Sequence, residues 1–315
     1  IKKINANNPI TFFEITTAAA FLLFAKYKAD ILLLETGLGG RLDATNIIPQ
    51  KLLSIITSIS LDHEEFLGKS INKITKEKLA ITKNSENIII AKQKIKVKKF
   101  IMAKLKNKKN VYVHYRDFNF FKIENNKFLF KFRNFQKNIN KPRLQGIYQL
   151  ENASSAVASS IILNKCGFKI NMSSFNKSIR TTRWPGRLEL IKYKNKIVIL
   201  DGSHNISGAQ QLNSFLISKK IKPNVVFGML NNKNIFRFLK TIKNNINILF
   251  PIKIPEEKNA FSNSDIEKYA QKLNIKYIIK KNFKEIEKDL LNFSNKYVLV
   301  TGSLYLIGRL RNKYL

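Results

Sequence analysis

The chain has 315 residues, with 57 lysines and arginines against 21 aspartates and glutamates, a formal net charge of +36. At 44% hydrophobic residues it can bury a sizeable core, which excludes a disordered chain, and its length predicts about two domains. No window approaches an uncharged apolar run long enough to span a bilayer. The single cysteine, Cys166, excludes an intrachain disulfide and fits a reducing compartment. The start, Ile1-Lys2-Lys3, leads into no apolar run with a small-residue cleavage site, so it is not a signal peptide. It is not an initiator methionine either, and the chain is expected to be truncated. So large a positive charge attracts polyanions. Lysine, asparagine, isoleucine and phenylalanine are all abundant and share A/T-rich codons, however, and codon bias explains the dispersed lysines better than a dedicated nucleic-acid surface.

In chain order, the pattern predicts a helix over 12–28 and a doubly buried strand over 29–35 (ADILLLE). A second strand follows over 52–59 and a helix over 70–82. Strands are predicted at 87–91 and 111–115. An amphipathic helix lies within the lysine cluster from Lys92 to Lys109, with Ile95, Phe100, Ile101 and Leu105 on its apolar face. Residues 118–132 alternate about Asn125-Asn126 and predict a hairpin. An Ala/Ser-rich helix spans 149–165, and Trp184-Pro185-Gly186 then punctuates the chain. Beyond it, strands are predicted at 188–193, 196–201, 224–229, 246–250, 275–279 and 297–301. Helices are predicted at 205–219, 234–243, 263–273, 283–292 and 303–312. This alternation predicts two α/β domains with parallel or mixed sheets and a boundary near Pro185.

Ligands in such sheets bind beyond the carboxyl ends of strands. Four places qualify: Glu35 to Asn46, Ser60 to Gly68, Asp201 to Gly208, and Thr301 to Tyr305. After Glu35, Gly37, Gly39 and Gly40 permit tight turns and close approach to a ligand. A strand-end carboxylate held by backbone amides is the ordinary explanation of Glu35. Arg41, Asp43 and Asn46, following within the same loop, argue for more. His63 follows Asp62 and is a candidate metal ligand whose tautomer a nearby carboxylate would fix. His114 lies inside an apolar strand and is assigned a structural role. Lys78 is one helical lysine among many, and sequence physics alone does not single it out. Gly68-Lys69-Ser70 imitates the end of a phosphate-binding loop, but His63 stands where that motif needs a glycine. In the second half, Asp201 at a strand tip suits a ribose, and Asn205 suits a helix cap. The Gly302-Ser303 turn exposes amides suited to a carboxylate.

Together these segments resemble the folylpolyglutamate synthase and dihydrofolate synthase family of the Mur ligase superfamily. The matching pieces are TFFE (Thr11 to Glu14), ETGLGGRLDATN (Glu35 to Asn46), TSISLDH (Thr57 to His63), ITKEKLAI (Ile74 to Ile81), LQGxYQxENA (Leu144 to Ala153), WPGRLE (Trp184 to Glu189), DGSHN (Asp201 to Asn205) and TGSLYLIG (Thr301 to Gly308). They fall in the family's order and span nearly the whole chain. The resemblance implies a P-loop-type Mur ligase central domain, incomplete here, over 1–185, and a Rossmann-like Mur ligase C-terminal domain over 186–315. It implies an ATP-dependent amide ligase that phosphorylates the carboxylate of dihydropteroate or of a folate glutamate tail, then adds L-glutamate. By the same resemblance Glu35, His63 and Lys78 are catalytic residues and magnesium ligands, with two magnesium sites expected and Lys78 N6-carboxylated. Asn152, Arg187 and Asp201 contact ATP. Thr11, Phe12, Phe13 and Glu14 line the dihydropteroate pocket, and His204, Ser303 and Tyr305 contact the incoming glutamate. The family's GTNGKGS phosphate loop would precede Thr11 and is not among these residues, so the 315 residues alone are expected to be inactive.

The expected partners are small molecules, with no specific nucleic acid and no membrane, and the protein is expected to be a cytoplasmic monomer. A Mur ligase acting on a peptidoglycan precursor is the nearest alternative, but it should lack WPGRLE and SLYLIG in this form. A basic nucleic-acid-binding protein and a degenerate, non-catalytic relative rank below it.

Overall fold

The structure is a computed structural model that describes residues 1–6, 8–123, 126–171 and 173–312. Its elements run α1 (Lys2–Asn5), α2 (Phe12–Lys26), a 3-10 turn (Ala44–Ile47), β1 (Lys51–Ile56), α3 (Glu64–Leu67), α4 (Ile71–Leu79), β2 (Ser85–Ile90), α5 (Ile95–Lys104), β3 (Val111–Val113), β4 (Phe118–Lys122), β5 (Lys127–Phe132), β6 (Phe135–Asn140), α6 (Tyr148–Lys165) and α7 (Ser174–Thr181). There follow β7 (Glu189–Tyr193), β8 (Lys196–Asp201), α8 (Ile206–Lys219), β9 (Asn224–Phe227), α9 (Ile235–Ile242), β10 (Leu249–Pro251), α10 (Asn263–Lys272), α11 (Phe283–Asn292), β11 (Tyr297–Thr301) and α12 (Leu304–Arg311). Two compact units emerge. The first holds Ile1–Asn119, Lys131–Gln136 and Ser154–Ile170, and the second holds Phe120–Phe130, Lys137–Ala153 and Asn171–Leu315.

In the first unit β1, β2 and β3 form a parallel sheet in that order. Ile56, Ile88, Ile90 and Val113 pack with Ile74 of α4 and Ile101 of α5 into its core. Their β-branched side chains suit strands covered by helices, because a stiff Cβ branch packs well on a pleated surface. Helix α2 starts where predicted because Thr11 and Glu14 form a capping box. It buries none of its residues: Phe12 is 82% exposed and Leu22 61%.

The predicted strand over 29–35 does not form. Ile31 to Leu34 belong to no helix or strand and have no ladder partner among the described residues, and Leu33 is 87% exposed. An apolar run becomes a strand only where a neighbour takes its N–H and C=O groups.

The second unit is built on a five-stranded sheet ordered β10-β9-β11-β8-β7, parallel except for β7, which pairs antiparallel with β8. Alternation sends its side chains to two cores. Ile199, Val225 and Leu299 face Leu212, Phe215, Phe238 and Ile266 of α8, α9 and α10. Val198, Leu200, Val226 and Val300 face Ile286 and Leu290 of α11 and Leu306, Ile307 and Leu310 of α12. Burial of both faces explains the continuous apolar runs of these strands. Asn205, Asn234, Ser262, Asn282 and Ser303 each cap the helix that follows.

The predicted strand over 275–279 reduces to one parallel bridge between Leu249 and Tyr277. The segment exchanges only two backbone bonds with Leu249, which is too little to propagate a ladder. Elsewhere β4, β5 and β6 form a third sheet in that order. Asn126 of the expected hairpin turn is described, whereas Asn125 lies outside the described residues.

Candidate active site

In the first unit, the loop after Glu35 folds around its own polar groups. Asp43, nearly buried, accepts from the Leu38 N–H at 2.7 Å and from Thr45 N–H and Oγ1 at 3.0 and 2.6 Å, which caps the 3-10 turn. Arg41 Nε bonds both Glu77 carboxylate oxygens, at 3.0 and 3.2 Å. Gly40 takes φ +151, and a Cβ there would lie 2.8 Å from the Glu77 carbonyl oxygen and 3.4 Å from Lys78 Cα. Only glycine lets the loop rest on this turn of α4, the turn that carries Lys78. A cleft of about 760 Å³ opens here. Thr11, Phe13 and Glu14 line it from α2, residues 37–44 from the loop, Phe66 and Leu67 from α3, and Lys73, Lys76 and Glu77 from α4. Thr11, Phe13 and Glu14 therefore share one cleft with the glycine loop. Phe12, equally a predicted site residue, does not line it. Glu14 Oε2 accepts from Thr11 N–H and Oγ1, and the Thr11 hydroxyl bond leads in holding this carboxyl below its usual range.

Glu35 lies exposed in the loop, whereas His63 and Lys78 are half-buried. His63 adopts a left-handed backbone (φ 51) at the start of α3, with Nε2 4.0 Å from Asp62 Oδ2. A carboxylate beside an imidazole is the arrangement that orients a metal-binding histidine. Among the described residues, no three of His, Cys, Asp and Glu gather as a ligand set. Glu35 and His63 thus suit a divalent cation in donor chemistry, and a third donor, the second anionic one, would have to come from another source, such as a carboxylated Lys78.

In the second unit, register aligns the ends of β8 and β11. Thr301 pairs with Asp201 on one side and Phe227 on the other. Gly302 (φ +106) then turns so tightly that a Cβ would meet the Gly228 carbonyl oxygen at 2.4 Å. The same carboxyl-terminal edge of the sheet therefore carries Asp201 at the end of β8, His204 just beyond it, and Ser303 and Tyr305 after β11. Ser303 Oγ accepts from the Tyr305 N–H at 3.1 Å, and Tyr305 itself is exposed. His204 Nδ1 lies 3.0 Å from the Gly202 carbonyl oxygen. That carbonyl can only accept, so Nδ1 carries a proton, and in the neutral ring Nε2 then keeps its lone pair.

Asp201 is 2% exposed and accepts from the N–H groups of Ser203 and Leu188, each at 3.1 Å. Burial raises its pKa; its bonds to Ser203 and Leu188 and the nearby Arg187 oppose that rise. Leu188 sits left-handed (φ 48), a conformation that costs on the order of 1–3 kcal/mol and persists only where surroundings impose it. Tyr148 is pushed up to about 12, first by burial and then by the Asp201 charge. Asn152 is exposed, and its Nδ2 donates to Gln149 Oε1 at 3.0 Å.

Two features go beyond the sequence reading, the first of them within the segment from Thr301 to Tyr305 that it did single out. Thr301 Oγ1 is fully buried at the sheet edge and makes no hydrogen bond within the described protein. Arg311 grips Glu189 with Nε and Nη2 at 2.8–3.2 Å. For Thr301, its place at the end of a buried apolar strand is a usable signal. For the ion pair there is none, because its partners are far apart in sequence.

Comparisons with known proteins point to one family. The family model described as dihydrofolate synthetase, C-terminal domain, matches residues 187–313. The dihydrofolate synthase/folylpolyglutamate synthase of Bacillus subtilis is 33% identical over 96% of this chain and 72% of its own length. A crystal structure of Thermotoga maritima folylpolyglutamate synthase has a TM-score of 0.79 at 27% identity, covering 96% of this chain and 70% of that one. Escherichia coli FolC in complex with DHPP and ADP has a TM-score of 0.83 at 24% identity, covering 96% and 71%. The fold is that of the Mur-type α/β ligases. Within that class, the chain belongs to the dihydrofolate synthase/folylpolyglutamate synthase family of ATP-dependent ligases.

Proposed function

We propose that this protein joins L-glutamate, through an acyl phosphate, to dihydropteroate and to the glutamate tail of reduced folates. The acceptor carboxylate oxygen attacks the γ-phosphorus of ATP, and ADP leaves with the electrons of the broken P–O bond. The glutamate amine then attacks the acyl carbon, and phosphate leaves. Activation replaces a poor leaving group by a good one, and the site must keep water from the acyl phosphate. The observation that carries this reading is the register of β8 and β11, with Asp201, His204, Ser303 and Tyr305 at one sheet edge.

Asp201 and Arg187 contact the nucleotide, as does Asn152. With Nδ1 held by the Gly202 carbonyl, His204 offers the Nε2 lone pair to an N–H of the incoming glutamate. Ser303 and Tyr305, at the start of α12, receive its carboxylate. The apolar walls of the first unit's cleft, Phe13 and Phe66 among them, suit the flat ring system of the acceptor, with Thr11 and Glu14 at the same cleft and Phe12 beside them in sequence. Glu35, His63 and an N6-carboxylated Lys78 would hold magnesium, with a second magnesium at the phosphates. When bound, the metal neutralises charge on the transferred phosphoryl group. We assign 1–185 to the central domain and 186–315 to the C-terminal domain. The protein acts on small molecules as a cytoplasmic monomer.

The test is glutamate-dependent ADP release by the product of the complete reading frame, with dihydropteroate and separately with a reduced folate. Activity with both is expected. Activity with the folate alone would confine the enzyme to tail extension, and activity with neither would refute the reading.

A further inference from the structure

The turn from Trp184 to Glu189 is anchored by hydrogen bonds at Gly186, Leu188 and Glu189. Glu189 Oε2 accepts from the Gly186 N–H at 2.9 Å while both its oxygens receive the Arg311 guanidinium. The Gly186 carbonyl accepts from the Gly202 N–H at 2.8 Å, and the Leu188 N–H reaches Asp201. Gly186 itself is left-handed (φ +70), and a Cβ there would press on Ile307 of α12 at 3.0 Å. Arg187, half-buried, sits between these anchored neighbours. Its backbone therefore has fixed points on either side: one on the loop after β8, the other on α12 through Arg311.

We propose that the Glu189–Arg311 pair is a positioning pair, which fixes the 184–189 turn so that Arg187 is presented to the nucleotide at the edge of the second unit's sheet. This rests on the reading of Arg187 as a nucleotide contact. A bidentate guanidinium–carboxylate pair defines an orientation as well as a distance, which a lysine could not reproduce. The Arg311 bond, before the Gly186 bond, holds the Glu189 carboxyl below its usual range. A turn fixed in this way presents its arginine without ordering it at each binding event, so the gain appears in nucleotide affinity.

The experiment is a mutant cycle in the product of the complete reading frame, with ATP KM and kcat read separately. Glu189→Gln and Arg311→Lys are each expected to raise the ATP KM about tenfold with kcat within about twofold. In an Arg187→Ala background the same two substitutions should change KM by less than about twofold, because the residue they position is gone. A parallel readout uses Trp184, the single tryptophan of these 315 residues and 57% exposed. Its quenching by acrylamide in this chain should rise with Glu189→Gln and stay unchanged with Arg187→Ala. Lys280→Met, which breaks a 2.8 Å pair with Asp289, serves as the control and should move neither readout.

An equal KM penalty in both backgrounds would overturn the proposal by showing that the pair acts on general stability. Unchanged KM and unchanged quenching in Glu189→Gln would overturn it outright. If Arg187→Ala leaves the ATP KM unaltered, the nucleotide reading of Arg187 fails on its own arm, and Trp184 quenching still decides whether the pair fixes the turn.

Discussion

The Leu188 N–H donates to Oδ2 of Asp201 at 3.1 Å, tying the turn before β7 to the end of β8. Thirteen positions separate the two residues, and the bond satisfies a left-handed backbone and a buried carboxylate together. Asp201 is thus a structural anchor as well as the proposed ribose contact. Asp201→Ala would strand the buried Leu188 N–H, which costs about 1–3 kcal/mol when left unmade, and would remove the part-buried bond from Ser203. The expected outcome is a loss of about 2 kcal/mol or more, with nucleotide affinity lost as well, measured by urea unfolding and nucleotide titration. Asp201→Asn, which keeps one carbonyl acceptor, should lose less.

His114 gives the protein an acid-sensitive core. It is buried, edge-on to Tyr115 at 4.2 Å and to Phe118 at 5.3 Å, which fits the structural role assigned from sequence. Its pKa is pushed down to about 4, first by burial and then by Lys92 and Lys98. The unfolded chain binds this proton at an ordinary histidine value and the folded chain only at a lower pH. Stability is therefore lost as pH falls from the ordinary value toward 4, by at most about 1.4 kcal/mol per unit. His114→Phe should flatten that part of the curve, as followed by urea midpoints at successive pH values.

Two glycines should respond in opposite directions to alanine. At Gly40 the new Cβ would meet the Glu77 carbonyl at 2.8 Å with an unfavourable φ, so Gly40→Ala should destabilise by more than about 1 kcal/mol. Gly308, within α12, has nothing within 4 Å of its added Cβ. There Gly308→Ala should stabilise by about 0.5–1 kcal/mol. Thermal unfolding of the two variants side by side checks both signs.

Helix α2 leaves Phe12, Leu22, Leu23 and Phe24 exposed. Exposed apolar side chains gathered on one helix bind hydrophobic dyes and favour association. Replacing Leu22 and Leu23 by lysine should lower dye binding while changing unfolding free energy by no more than about 0.5 kcal/mol. A large destabilisation would show instead that these leucines are covered.

Elements governed by local chemistry were legible in the sequence. Thr11 with Glu14, and Ser262 with Asp265, announce helix starts by their capping boxes, and the runs at Ile197–Leu200 and Val298–Val300 announce doubly buried strands. The run at Ile31–Leu34 carries the same apolar signal yet pairs with nothing described, because a strand depends on its neighbours and not on its own composition. Asp201, His204 and Ser303 stood out as polar residues after apolar strands, whereas Lys78 had no signal of its own and entered by resemblance alone. Arg311 and Glu189 lie 122 positions apart. Only the fold reveals their pairing.

The most direct test follows a heavy-oxygen label in the acceptor carboxylate, using the product of the complete reading frame with ATP, L-glutamate and dihydropteroate. Phosphorylation of that carboxylate predicts that one labelled oxygen leaves with inorganic phosphate for each amide bond formed, in step with ADP release. Label retained in full by the amide product, or ADP release indifferent to the acceptor, would contradict the acyl-phosphate ligase account.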